Sequence, residues 1–254
     1  MSLSKQLLMK FLICTFLFTY LSWGIIIAAN CFGIFGFNSP FGTFLYVCGT
    51  WAPTILSYLC LKKNKSIYTI KDFIKVTFSF KAKAIQYLLV LLFLTILYIP
   101  SIMLCKTNAE VAWYLWLPVF PFMIVDGGME EVGWRYLLQP TLEKRFSFLI
   151  ATTITALIWW AWHLPMFFIE GSAQNEMSFF LFALFVLGQS FSLAAIFQVS
   201  KNVWLCIMYH ALINTLTIYW PVADNLLATL ISSIGAVLLS VIIISIKKRK
   251  QSRS

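Results

Sequence analysis

The chain has 254 residues, 61% hydrophobic and 11% charged, with a mean hydropathy of +0.86 and a formal net charge of +10. A soluble globular domain carries about 45–50% apolar and about 25% charged residues, so composition excludes that class and points to an all-α polytopic membrane protein. The positive charge does not indicate a nucleic-acid partner, because the basic residues sit at the ends of apolar segments, where they report topology.

Eight apolar stretches are expected to be transmembrane helices, each near the roughly 20 residues needed to cross a bilayer. They run approximately over 11–29, 42–61, 85–105, 113–138, 147–169, 178–199, 203–220 and 225–246. Lys5 and Lys10 precede the first, which is too long for a signal h-region and lacks an A-x-A site, so it reads as a retained helix. After the second, "YTIKDFIKVTFSFK" places Ile70, Phe73, Ile74 and Phe78 on one helical side and Lys71 and Lys75 on another. That pattern fits an interfacial amphipathic helix or a solvated basic loop. With the N-terminus cytoplasmic, eight spans return the C-terminus to the same side. Only Lys106 then falls in an outer loop, and the outer loops carry Glu110, Glu170, Glu176 and Asp224. The tail "KKRKQSRS" acts as a topology anchor.

The six cysteines form no CxxC pair and indicate neither a zinc ribbon nor a redox motif. No repeat, low-complexity tract or linker divides the chain. One membrane domain, 1–254, is expected, with membrane lipids around it and, if the protein is bacterial, in the plasma membrane.

Ionisable groups inside spans are costly and face a cavity or one another. Here they are Asp126, Glu130, Glu131 and Arg135 in the fourth span, His163 in the fifth, and His210, with the amide of Asn214, in the seventh. Glu131 and Arg135 are i,i+4 neighbours and can pair, whereas Glu130 is rotated about 100° away. His210 and Asn214 are also i,i+4 and can enter one cavity. Trp159 lies one turn before His163 and would shield it. Asp126, beside Gly127 and Gly128, is assigned no role. Each feature also has a plain structural reading: a membrane histidine can hydrogen-bond across helices, and a Glu–Arg pair can simply lock them together. A carboxylate, two imidazoles and an amide on three helices nonetheless look like one site. A carboxylate and an imidazole can activate water, and a second imidazole and an amide N–H can stabilise an oxyanion. That set suits amide hydrolysis. Glu130, His163 and His210 could equally bind a divalent metal such as zinc, although the spacing is not HExxH.

"EEVGWR" fits EExxxR, "WWAWH" is similar to FxxxH with Trp159 in place of Phe, and "HALIN" fits HxxxN. In order and spacing these motifs resemble the CAAX-protease and bacteriocin-processing family of intramembrane endopeptidases, also called Abi or type II CAAX prenyl endopeptidases. The resemblance covers about residues 110–220. It implies about eight spans around a polar catalytic cavity. It also implies that Glu130 activates water with His163, that His210 and Asn214 form the oxyanion site, and that Glu131, Arg135 and Trp159 support them. The family has been labelled metalloprotease, but a metal-free glutamate mechanism fits its motifs as well and is favoured, with no cofactor.

The expected activity is cleavage of a membrane-associated or lipidated protein or peptide near the cytoplasmic leaflet, in CAAX-type processing or bacteriocin self-immunity. A non-catalytic immunity or partner-binding protein of the same fold is the alternative. A proton-coupled transporter is a third reading, without an evident inverted repeat.

Overall fold

The computed structural model describes residues 4–108 and 110–251, and among them all regular structure is helical. The α-helices are α1 (Lys5–Cys31), α2 (Pro40–Lys63), α3 (Ile70–Thr77), α4 (Ala84–Leu104), α5 (Trp116–Val125), α6 (Gln139–Leu142), α7 (Phe148–Trp162), α8 (Phe179–Ser200), α9 (Val203–Leu216) and α10 (Leu226–Gln251).

Among the described residues, six segments are long and apolar enough to cross a bilayer: α1, α2, α4, α7 with the turn that follows it to Phe168, α8 and α10. The expected count of eight is therefore not reached by length. The seventh expected span, α9, has only 14 residues. The fourth is not one helix. It consists of the short α5, a break at Gly127, a 3-10 turn over Gly128–Glu130, a π-helical stretch over Val132–Leu138, and α6. Gly127 sits at φ +118°, a region that L side chains rarely adopt, so the helix must stop there. The next glycines let neighbours approach. A Cβ at Gly128 would lie 2.9 Å from Ile207 O of α9, and one at Gly133 would lie 2.9 Å from Pro53 O of α2.

The long helices turn large apolar side chains outward and small or hydroxyl side chains inward. α10 exposes Ile231, Ile234, Leu238 and Ile242 and buries Thr229, Ser232, Ser233 and Ala236. Lipid solvates the first set. The second allows close backbone approach, the usual basis of helix association in bilayers. Gly188 of α8 is one such approach to α10, since a Cβ there would lie 2.7 Å from Ser233 Cα. In α2, Pro53 has no N–H to give Gly49 O. Thr19 Oγ1 of α1 donates to that carbonyl at 2.9 Å and accepts from Trp162 Nε1 of α7 at 2.9 Å, which ties three helices together.

Both described ends of the chain lie at one end of the bundle. Cys60, late in α2, reaches Leu7 O in α1, and Asn202, before α9, donates to Ser79 O, before α4, at 2.7 Å. Lys247 of α10 donates to Gln198 O of α8, and Gln198 in turn donates to Glu143. Lys62, Lys63, Lys75, Lys81, Lys201 and Lys247 belong to this end. At the other end Asn30 donates to Glu170 at 2.6 Å, and Asn108 N–H donates to Tyr219 O at 3.0 Å.

The stretch around Lys71 and Lys75 is a helix, α3, rather than an irregular loop. Thr69 and Asp72 form a reciprocal capping box. The backbone N–H and hydroxyl of Thr69 hold the Asp72 carboxyl below its ordinary pKa. Phe73 packs inward on Tyr58 at 5.2 Å, while Ile70 and Ile74 stay exposed.

Candidate active site

The broken fourth segment and the ends of two helices make the site. The chain stops being regular at Gly127, so Glu130 projects from a turn rather than from a continuous helix. π-helical geometry follows, a form that recurs at functional positions. His163 caps the C-terminal end of α7, while His210 and Asn214 lie one turn apart in α9. Glu130, His163, His210 and Asn214 all line one cavity of about 490 Å³, together with Trp159. Glu131 and Arg135 do not line it. They are fully buried behind it.

Glu130, His163 and His210 are each held from the far side. Glu130 Oε2 accepts from Trp159 Nε1 at 3.0 Å and, more weakly, from Trp134 Nε1 at 3.4 Å. His163 Nδ1 lies 2.7 Å from Trp159 O. A carbonyl only accepts, so Nδ1 carries the proton, and a neutral ring leaves Nε2 with a lone pair. His210 Nδ1 lies 2.8 Å from Glu131 Oε1, so it donates to that carboxylate. The other oxygen of Glu131 accepts from Arg135 Nε at 2.9 Å. Arg135 Nη1 then donates to Ser190 Oγ at 2.9 Å, which ties the segment to α8.

Gly127 decides the remaining geometry. A Cβ there would lie 2.6 Å from Asn214 Nδ2 and 3.6 Å from His210 Nε2. The two nitrogens therefore converge on the same small volume, which only glycine leaves open. An amide N–H and an imidazole nitrogen, which donates when the ring is protonated, thus stand beside a carboxylate and a second imidazole, a set that can act on water and a carbonyl.

The expected pairing of Glu131 with Arg135, separate from Glu130, is present, and Glu131 also holds His210, a link that spacing within one helix could not reveal. Trp159 does more than shield. Its ring meets His163 at 5.6 Å and His210 at 5.5 Å, lies 5.3 Å from the Arg135 guanidinium, and sends its indole N–H to Glu130. The phenylalanine of the FxxxH motif could not make that last bond. Asp126, to which sequence assigned no role, lines the cavity and accepts from Thr50 Oγ1 at 3.2 Å. The "DGG" break was a visible signal for it, whereas nothing in the sequence marks Ser190 or Gln189 as site neighbours.

The candidate metal donors Glu130, His163 and His210 do not form a ligand group: among the described residues, no three His, Cys, Asp or Glu side chains are placed to hold a metal ion.

The family model described as type II CAAX prenyl endopeptidase Rce1-like matches residues 112–216, the stretch that contains Glu130, Glu131, Arg135, Trp159, His163, His210 and Asn214. Over that stretch the chain is similar to the Rce1-like type II CAAX prenyl endopeptidases. A CAAX prenyl protease 2 of Methanococcus maripaludis is similar to it, 25% identical over 224 residues that cover 79% of this chain and 80% of that protein. The Rce1-like match and the six apolar helices make this an integral membrane protein, and they support intramembrane endopeptidase activity in general.

Proposed function

We propose that the protein is an intramembrane endopeptidase that hydrolyses a peptide bond of a membrane-associated or lipidated protein or peptide. The observation that carries this reading is the convergence of Glu130, His163, His210 and Asn214 on one cavity, with the first three anchored from behind. Glu130 takes a proton from water, and His163 Nε2 accepts a second hydrogen bond from that water and orients it. The oxygen attacks the carbonyl carbon, and the developing oxyanion moves between Asn214 Nδ2 and His210 Nε2. Glu131 compensates the charge of a protonated His210, whose Nε2–H then donates to the oxyanion. The proton on Glu130 passes to the leaving amine as the C–N bond breaks.

No step in this reading passes through a metal. Metal analysis of purified protein, with activity measured before and after chelation, checks that half; loss of activity on chelation with recovery on zinc addition would refute it. The substrate reading draws on the similarity to a CAAX prenyl protease. Bacteriocin self-immunity is a second biological setting for the same hydrolysis, motivated by the three-motif resemblance. Both chain termini are assigned to the cytoplasm from the lysine-rich end of the bundle. The deciding experiment compares wild type with Glu130→Gln on a candidate membrane-anchored peptide; unchanged turnover sinks the proposal.

A further inference from the structure

The cavity and the lysine-rich end occupy opposite halves of the bundle. From α2 the cavity takes Thr43, Tyr46 and Thr50, all in the first half of the helix, and from α8 it takes Phe182 to Gln189, again in the first half. From α9 it takes His210 to Thr217, in the second half. In each helix that is the half nearer the Asn30–Glu170 contact and farther from Lys63, Lys201 and Lys247. Ser172, Ala173 and Gln174, in the loop between the α7 turn and α8, form the rim, and Ala173 is exposed. No Lys or Arg lines the cavity. Apolar side chains, among them Phe37, Met166, Met177, Phe182 and Phe185, line much of it, together with Glu130, the two imidazoles and a few uncharged polar groups.

Lysine and arginine accumulate on the cytoplasmic side of membrane proteins, because short basic segments are retained there during insertion. We infer that the site opens to the opposite face and takes an apolar peptide segment presented at the non-cytoplasmic surface of the membrane. The word substrate rests on the protease reading above, whereas the sidedness rests on where the cavity and the lysines lie in the bundle. A cut near the cytoplasmic leaflet, expected from residue counts, gives way to this. Counting residues along a helix measures depth but does not tell which end of the bundle is open.

Labelling of introduced thiols tests the sidedness. With the six native cysteines replaced, Ala173→Cys and Lys71→Cys are expressed in bacteria and treated with a membrane-impermeant charged maleimide, before and after permeabilisation. The thiol at 173 should react in intact cells and the thiol at 71 only after permeabilisation; the reverse pattern overturns the inference. If the cysteine-free chain does not accumulate, a reporter active only in the cytoplasm is fused to the tail of the unmodified chain. Its activity supports the inference, and activity only of an export-dependent reporter overturns it. A quenched apolar peptide bearing an impermeant charged tag is then added outside intact cells. Cleavage by wild type but not by Glu130→Gln supports both readings, and cleavage only after permeabilisation overturns the sidedness. The expected labelling with no turnover under any condition leaves the sidedness standing and sinks the protease reading instead.

Discussion

α10 and the segment from Asp126 to Leu142 both bury polar side chains at membrane depth, yet they use them differently. In α10, Thr229 Oγ1 donates to Asn225 O at 2.8 Å and Ser232 Oγ to Thr229 O at 3.2 Å, both within the same stretch of chain, while Ser233 Oγ reaches a backbone carbonyl of α8, Leu184 O, at 2.8 Å. In the broken segment the bonds cross between elements: Glu130 to Trp159, Glu131 to His210, Arg135 to Ser190 and Gln139 to Thr152. A hydroxyl bonded to its own helix lets two backbones approach and needs no particular partner. A carboxylate bonded across helices holds several elements in one arrangement and turns another group toward a cavity. Buried polarity alone therefore does not mark a site; long-range partners together with a cavity do.

Six variants test that contrast. Glu130→Gln should lower kcat by about 10²–10⁴-fold, the range for a lost general base, while thermal unfolding in detergent stays near wild type. Glu131→Gln should behave differently, because breaking a buried pair costs about 3–5 kcal/mol and leaves Arg135 uncompensated. Its melting temperature should fall along with activity. A double Glu131→Gln, Arg135→Met variant should regain stability but not activity, since His210 still lacks its carboxylate; full recovery of turnover would make Glu131 purely structural. Asn214→Ala should cost about 10²–10³-fold in kcat, the usual loss for one oxyanion donor, with KM little changed. Trp159→Phe keeps the ring contacts and deletes one hydrogen bond to a charged group, worth about 1.5–3 kcal/mol. It should lower kcat by about ten- to a hundredfold and leave the fold intact, which a circular dichroism melt would verify. Ser232→Ala in α10 should change stability by about 0.6 kcal/mol or less and leave turnover unchanged. A loss of activity there would erase the distinction between the two regions.

Much of the site was legible because ionisable residues are so rare in this chain's spans. Glu130, Glu131, Arg135, His163, His210 and Asn214 stand out against leucine and phenylalanine, and i,i+4 spacing pairs two sets of them correctly. The bond from Glu131 to His210 was not legible, because 79 residues separate them and only packing of α9 on the broken segment closes the gap. The same holds for the indole N–H of Trp159: a tryptophan in an apolar run reads as core, and its partner is set by the rotation of α7. The fourth span read as one helix because hydropathy does not register φ. The pair Gly127–Gly128 gave a hint of loosening, but the tight fit against Asn214 gives it meaning.

The amino-acid sequence by itself determined that the chain lives in a membrane, that it is helical, which end of the bundle is basic and which few residues can do chemistry. Those properties follow from transfer free energy and helical period, which act locally and add along the chain. Only the tertiary structure decided that Gly127 opens a space for two converging nitrogens, that Glu131 serves His210 as well as Arg135, and that the cavity lies in the half of the bundle away from the lysines. Each of these depends on the relative rotation and offset of helices distant in sequence. That arrangement is set by close packing at glycine, serine and proline contacts, which no single segment specifies alone.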